Sequence, residues 1–152
     1  MKLVIQRVSS AEVLVDKKLY GKIQKGIVIF LGIAKKDSEK DVKYLIKKII
    51  NMRIFNDESG KMNLSIRDLN LSIMIISQFT LYADCKKGNR PSFLEAEVPQ
   101  KAQILYDFFI EEIKKYNINF ITGKFGAMMD IKLINDGPVT IVLESWIDRL
   151  GY

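Results

Sequence analysis

The chain has 152 residues, 48% of them apolar, which fits one domain (1–152) with a single sizeable core. It carries 24 Lys and Arg against 18 Asp and Glu, a net charge of +6, which favours a polyanionic partner only weakly. With no histidine and a single cysteine, Cys85, it excludes His-based triads, Cys–His dyads, His-ligated zinc, multi-cysteine metal clusters and any intrachain disulfide.

The opening MKLVIQRV holds too few apolar residues in a row for a signal-peptide core. The longest apolar stretch, GIVIFLGIA, is far too short to span a bilayer. The expectation is a soluble, cytoplasmic protein with no membrane partner. LVIQRV, AEVLV and LYGKI read as short strands separated by Ser-Ser and Asp-Lys-Lys. Gly26 to Leu31 reads as a strand buried on both faces. Ser38-Glu39-Lys40-Asp41 resembles a capping box, and Val42, Leu45, Ile46, Ile49 and Ile50 recur behind it at helical spacing. Asn56 to Lys61 is a turn, and Leu71 to Phe79 a second buried strand. Pro99 suits the first turn of a helix whose apolar face is Ala102, Leu105, Tyr106, Phe109 and Ile113. INFIT, MDIKLI and VTIVLE close the chain as strands.

Two helices cannot cover both faces of so much sheet. The predicted fold is α/β in three layers, α/β/β, with both helices on one face and a second β layer, or a partner subunit, on the other.

Four stretches could carry chemistry. Ser77-Gln78-Phe79-Thr80 could hold an oxyanion on hydrogen-bond donors, or could simply cap a strand end with small polar residues. Lys86 to Phe93 joins three cations to a glycine and an aromatic, either a phosphate grip or a solvated loop. Gly123 to Met129 sets Phe125 between two glycines, either a stacking platform or a hairpin with Phe125 and Met129 in the core. Asn135-Asp136-Gly137-Pro138 reads as a turn between two strands, where a trans bond is the ordinary expectation. Cys85 lacks a histidine to activate it and reads as a bystander. Trp146 reads as a packing anchor.

MKLVIQRV, SQFTLYAD, KKGNRPSF and NDGPVT, in this order and at these distances, together resemble the D-aminoacyl-tRNA deacylase family. The resemblance covers roughly residues 1 to 144 and leaves the tail, Ser145 to Tyr152, without a role. It implies an enzyme that hydrolyses the ester of D-aminoacyl-tRNA and of mischarged glycyl-tRNA and spares L-aminoacyl-tRNA. It also implies a homodimer with active sites at the interface, and no cofactor or metal. Gly137 and Pro138 would be joined by a cis bond and reach into the partner's site as a backbone filter. Arg7 would support that motif. Ser77, Gln78, Phe79 and Thr80 would line the reaction centre, with the substrate's 2′-hydroxyl assisting water. Ala102, Phe125 and Met129 would surround the terminal adenosine. The competing reading is a nucleic-acid-binding module of the same fold, without turnover.

Overall fold

The computed structural model describes residues 1–145; Trp146 and the rest of the tail lie outside the described residues. Eight strands and two helices follow in chain order: β1 (Lys2–Val15), β2 (Lys18–Ile23), β3 (Gly26–Gly32), α1 (Glu39–Asn51), β4 (Phe55–Asn56), β5 (Met62–Leu64), β6 (Ser72–Ser77), α2 (Pro99–Lys114), β7 (Phe120–Thr122) and β8 (Met129–Glu144). The main sheet runs β2-β1-β3-β6-β7, with β8 on the other edge of β1. β4 and β5 form a separate small hairpin.

The fold class expected from the sequence holds. Leu3, Ile5, Ile27, Ile29, Leu31, Ile73 and Ile75 turn one face of the sheet towards Leu45, Ile49, Phe109 and Ile113 of the two helices. Alternation along each strand puts Val28, Met74 and Ile76 on the opposite face. There they meet Val8, Ala11, Val13 and Ile23 in a second core. The second β layer is thus the far half of the same sheet, folded over.

That folding over corrects the sequence reading. LVIQRV and AEVLV are not two strands but one, β1, bent at Ser9-Ser10. Val8 and then Ala11 and Val13 face the same core, so the side-chain alternation slips by one residue at the bend, as a bulge requires. MDIKLI and VTIVLE are likewise one strand, β8, antiparallel to β1 along its length.

Helix α1 begins as the sequence predicts. Ser38 donates to the Asp41 carboxylate from its N–H (2.8 Å) and from Oγ (2.9 Å). Ser38→Ala is expected to cost about 1 kcal/mol, read as a fall of about 2–4 °C in Tm. At the chain start, the Met1 ammonium group pairs with Asp37 and donates to Ser145 Oγ (2.8 Å). No helix among the described residues is long and apolar enough to cross a membrane.

Candidate active site

The Asn-Asp-Gly-Pro stretch is not a hairpin turn. Gln6 of β1 pairs with Thr140 of β8, and Val8 pairs with Asn135. Only Arg7 lies between on β1, whereas Asp136, Gly137, Pro138 and Val139 lie between on β8. Those four residues leave the ladder as an excursion from a continuous strand. Asn135 closes its neck, accepting from the Val139 N–H (2.9 Å) and donating to Thr140 Oγ1 (2.9 Å). The Gly137–Pro138 peptide bond is cis, and Gly137 has φ +131°.

Arg7 holds the excursion from beneath. It sits on the same face of β1 as Leu3 and Ile5, and it is 7% exposed. Its Nε donates to the Asp136 carbonyl (3.0 Å) and lies 3.3 Å from that residue's carboxylate. Its Nη1 donates to the Ile54 carbonyl (2.7 Å) and to Asn56 Oδ1 (3.3 Å). A Cβ added at Gly137 would stand 3.0 Å from Arg7 Nη2 and 2.8 Å from Val139 Cγ2. The planar fork of arginine serves acceptors in two directions at once.

Ser77 ends β6, and the strand stops two residues before the sequence reading had it. The Gln78 N–H still bonds to the Leu31 carbonyl (2.8 Å), and Phe79–Tyr82 then form a 3-10 turn. The N–H groups of Phe79 and Thr80 are the first two of that turn, so the turn itself offers them no carbonyl. Gln78 Nε2 donates to Thr80 Oγ1. Phe79 is 58% exposed rather than buried in a strand, and its ring meets Phe93 edge-on at 5.1 Å.

That contact brings the basic loop to the turn. Asp84 and Ser92 exchange two backbone bonds of 2.8 Å and close the loop's neck. Cys85, Lys86, Lys87 and Arg90 stand exposed beyond it.

Ala102, Phe125 and Met129 divide between the two cores. Phe125 packs on the helix side, its ring 5.4 Å from Tyr106, one helical turn beyond buried Ala102. Tyr106 and Phe125, but not Ala102, border an open groove of about 450 Å³ between α2 and the β7–β8 connection. Met129 packs against the second core. Gly123 lets it approach, since a Cβ there would meet Met129 Sδ at 2.5 Å. Phe125 and Met129 are both partly buried, but β7 and β8 do not pair, so the segment is a connection and not a hairpin.

Neither Tyr82 nor Tyr106 is ionised near neutral pH. Burial pushes the Tyr82 hydroxyl well above its usual range, and the carboxylates of Asp37 and Glu144 push it further. Burial does the same to Tyr106, whose hydroxyl donates to the Ile75 carbonyl (3.1 Å). Among the described residues no three acidic or Cys side chains gather as metal ligands.

Sequence reading missed three supports: the Asn135 clamp, the Ile54 carbonyl and Asn56. The last two lie far from Arg7 along the chain and had no local signal. Asn135 carried one, because a carboxamide beside a Gly-Pro commonly bonds to nearby backbone.

Known proteins resemble the chain in sequence and in fold. Residues 4–144 match the family model of D-Tyr-tRNA(Tyr) deacylase. A D-aminoacyl-tRNA deacylase of Thermosipho melanesiensis is 53% identical over 146 residues, covering 95% of this chain and 97% of that protein. One from Bacillus cereus is 53% identical over 145 residues, covering 95% and 99%. A solved structure of a c-Myc DNA unwinding element binding protein superposes with a TM-score of 0.89 at 41% identity, covering 95% and 98%. A probable eukaryotic D-amino acid tRNA deacylase shares the fold, with a TM-score of 0.80 at 16% identity, covering 93% and 97%. The chain therefore belongs to the D-Tyr-tRNA(Tyr) deacylase family.

Proposed function

We propose that the chain is a hydrolase that cleaves the ester between a D-amino acid, or glycine, and the 3′ end of tRNA, and that it spares L-aminoacyl-tRNA. The observation that carries this reading is the excursion of β8. It presents the backbone of Gly137 and Pro138, held by Arg7 and Asn135, with no polar side chain of its own at either position. A rigid backbone can discriminate by exclusion. It holds the substrate's α-amino group and Cα so that a D side chain points to solvent and an L side chain collides. Glycine passes because it has no side chain.

The excursion serves a second subunit. Register sets it opposite Arg7, in the row of Ile27 and Ile73, whereas Ser77 lies four residues further along β6. Four residues of strand and three strand spacings separate the two by roughly 20 Å within one chain. That separation supports a homodimer in which Gly137-Pro138 completes the Ser77–Thr80 site of a partner. The outer edge of β8 and its exposed Ile134 and Val142 suit such an interface. A monomer with full activity would overturn this arrangement.

In the reaction, water attacks the ester carbonyl and the bond to the ribose 3′-oxygen breaks, leaving the amino acid and the tRNA 3′-hydroxyl. The neighbouring 2′-hydroxyl of the substrate relays the proton. The Phe79 N–H, with that of Thr80, receives the oxyanion. Ala102, Phe125 and Met129 flank the terminal adenosine, and no cofactor is needed. Thr80→Ala is expected to lower kcat by less than about tenfold, because the backbone donors survive; near-complete loss, on the order of 10²–10³, would assign the work to the side chain. A 2′-deoxy terminal adenosine tests the same point from the RNA side, and full turnover of it would overturn the relay. With no histidine, and with Tyr82 and Tyr106 held protonated, log kcat is expected to show no bell and no protein-derived inflection between about pH 5.5 and 7.5.

The deciding experiment is release of labelled amino acid from matched D- and L-tyrosyl-tRNA, with glycyl-tRNA beside them. Release of D and glycine with L spared is expected. Equal release of D and L removes the filter. No release from any supports the second reading, a nucleic-acid-binding module in the cytoplasm without turnover. The 41% identity to a protein named for DNA binding favours that reading.

A further inference from the structure

The exposed face of α1 carries a line of cations. Lys40, Lys43 and Lys47 stand at i, i+3 and i+7, on one side of the helix over about 10 Å, with Lys48 beside them. All four are exposed. Among the described residues, none of them lies within 4.0 Å of a carboxylate. After Glu39 the helix offers no exposed acid, because Asp41 turns inward to Ser38. At the end of α2, by contrast, Lys114 and Lys115 are each paired with a glutamate one turn back. The exposed face of α1 thus carries a run of cations without a carboxylate partner among the described residues, as the loop of Lys86, Lys87 and Arg90 also does, while Lys43 Nζ lies 5.5 Å from the centre of the Phe108 ring.

The line also starts at the candidate site. The connection from β3 to α1 is bonded to the segment that leaves the basic loop, Glu97 N–H to Ile33 carbonyl (2.9 Å) and Lys35 N–H to Glu95 carbonyl (3.3 Å). Gly32 packs against Gln78 and Tyr82. From there α1 runs about 20 Å away from the Ser77–Thr80 turn.

We propose that Lys40, Lys43 and Lys47 form a track for the phosphate backbone of the tRNA stem whose 3′ end occupies the Ser77–Thr80 site. This rests on the deacylase reading and adds where the body of the RNA lies. Contacts of this kind position the nucleic acid without reading its sequence, and each contributes to salt dependence.

The test compares two substrates: full-length D-tyrosyl-tRNA and the same ester on a CCA trinucleotide, which ends before the stem. The triple change Lys40→Gln, Lys43→Gln, Lys47→Gln is expected to raise KM for the full-length substrate about tenfold at 0.1 M salt. It should also flatten the slope of log(kcat/KM) against log[salt] by about 2–3. Turnover of the trinucleotide ester and kcat on tRNA should stay unchanged. The triple Lys→Arg variant should restore KM, and Lys114→Gln with Lys115→Gln should leave it alone. Unchanged KM on full-length tRNA overturns the track, and so does an equal loss on both substrates. If the unaltered chain cleaves neither substrate, the deacylase reading fails. The track is then judged by binding of uncharged tRNA: an unchanged Kd in the triple Gln variant overturns it.

Discussion

Gly137→Ala is expected to reduce release of D-tyrosine from tRNA by about 10²-fold and to narrow the gap between D and L substrates. Two independent features of the position lead there. Its φ of +131° is one that a side chain rarely adopts, which costs about 1–3 kcal/mol. The added Cβ would also stand 2.8 Å from Val139 Cγ2 and 3.0 Å from Arg7 Nη2. Neither neighbour can yield cheaply. Val139 is tied to Asn135 through its N–H, and Arg7 is fixed by acceptors on three residues. The excursion must therefore move, and with it the backbone that is proposed to meet the substrate's Cα. The measurement is kcat/KM on D-, L- and glycyl-tRNA for both chains, with thermal unfolding as the control for folding. Wild-type discrimination in a folded Gly137→Ala protein would remove the filter from this position.

Arg7→Met should act through both stability and specificity. Methionine fills much of the same space but leaves the Ile54 carbonyl, Asn56 Oδ1 and the Asp136 carbonyl without their donor. Each buried acceptor so orphaned costs about 1–3 kcal/mol; the Ile54 bond is the buried one and the other two are partly exposed, so the sum is about 2–4 kcal/mol. In a chain of this size that lowers Tm by roughly 5–15 °C. Arg7→Lys is expected to recover little, because an ammonium group cannot reach Asp136 and Ile54 together. A Tm within about 1 °C of wild type would show that water replaces the guanidinium at no cost.

Local chemistry made much of the molecule legible. The apolar spacing from Val42 to Ile50 and the Ser38–Asp41 cap identified α1, and Pro99 with Ala102, Tyr106, Phe109 and Ile113 identified α2. Both signals are contained within a few turns of one segment. The continuity of β1 and β8 was not legible. Ser9-Ser10 and Asn135 to Pro138 have the composition of turns, and a bulge uses the same residues as a turn. Which of the two forms depends on whether the flanking strands reverse, and a partner strand decides that.

By itself, then, the sequence determined the two helices, the strand-forming segments and the absence of histidine chemistry, along with the motifs that carry the family resemblance. Tertiary structure alone decided that one sheet supplies both β layers, that Arg7 braces Asp136 through acceptors far away in the chain, and that Gly137-Pro138 stands remote from its own Ser77–Thr80 turn. The physical reason is range. Helix periodicity and capping are satisfied between near neighbours, whereas strand register, bulge position and the partners of a buried guanidinium are set by segments that meet only when the chain is folded.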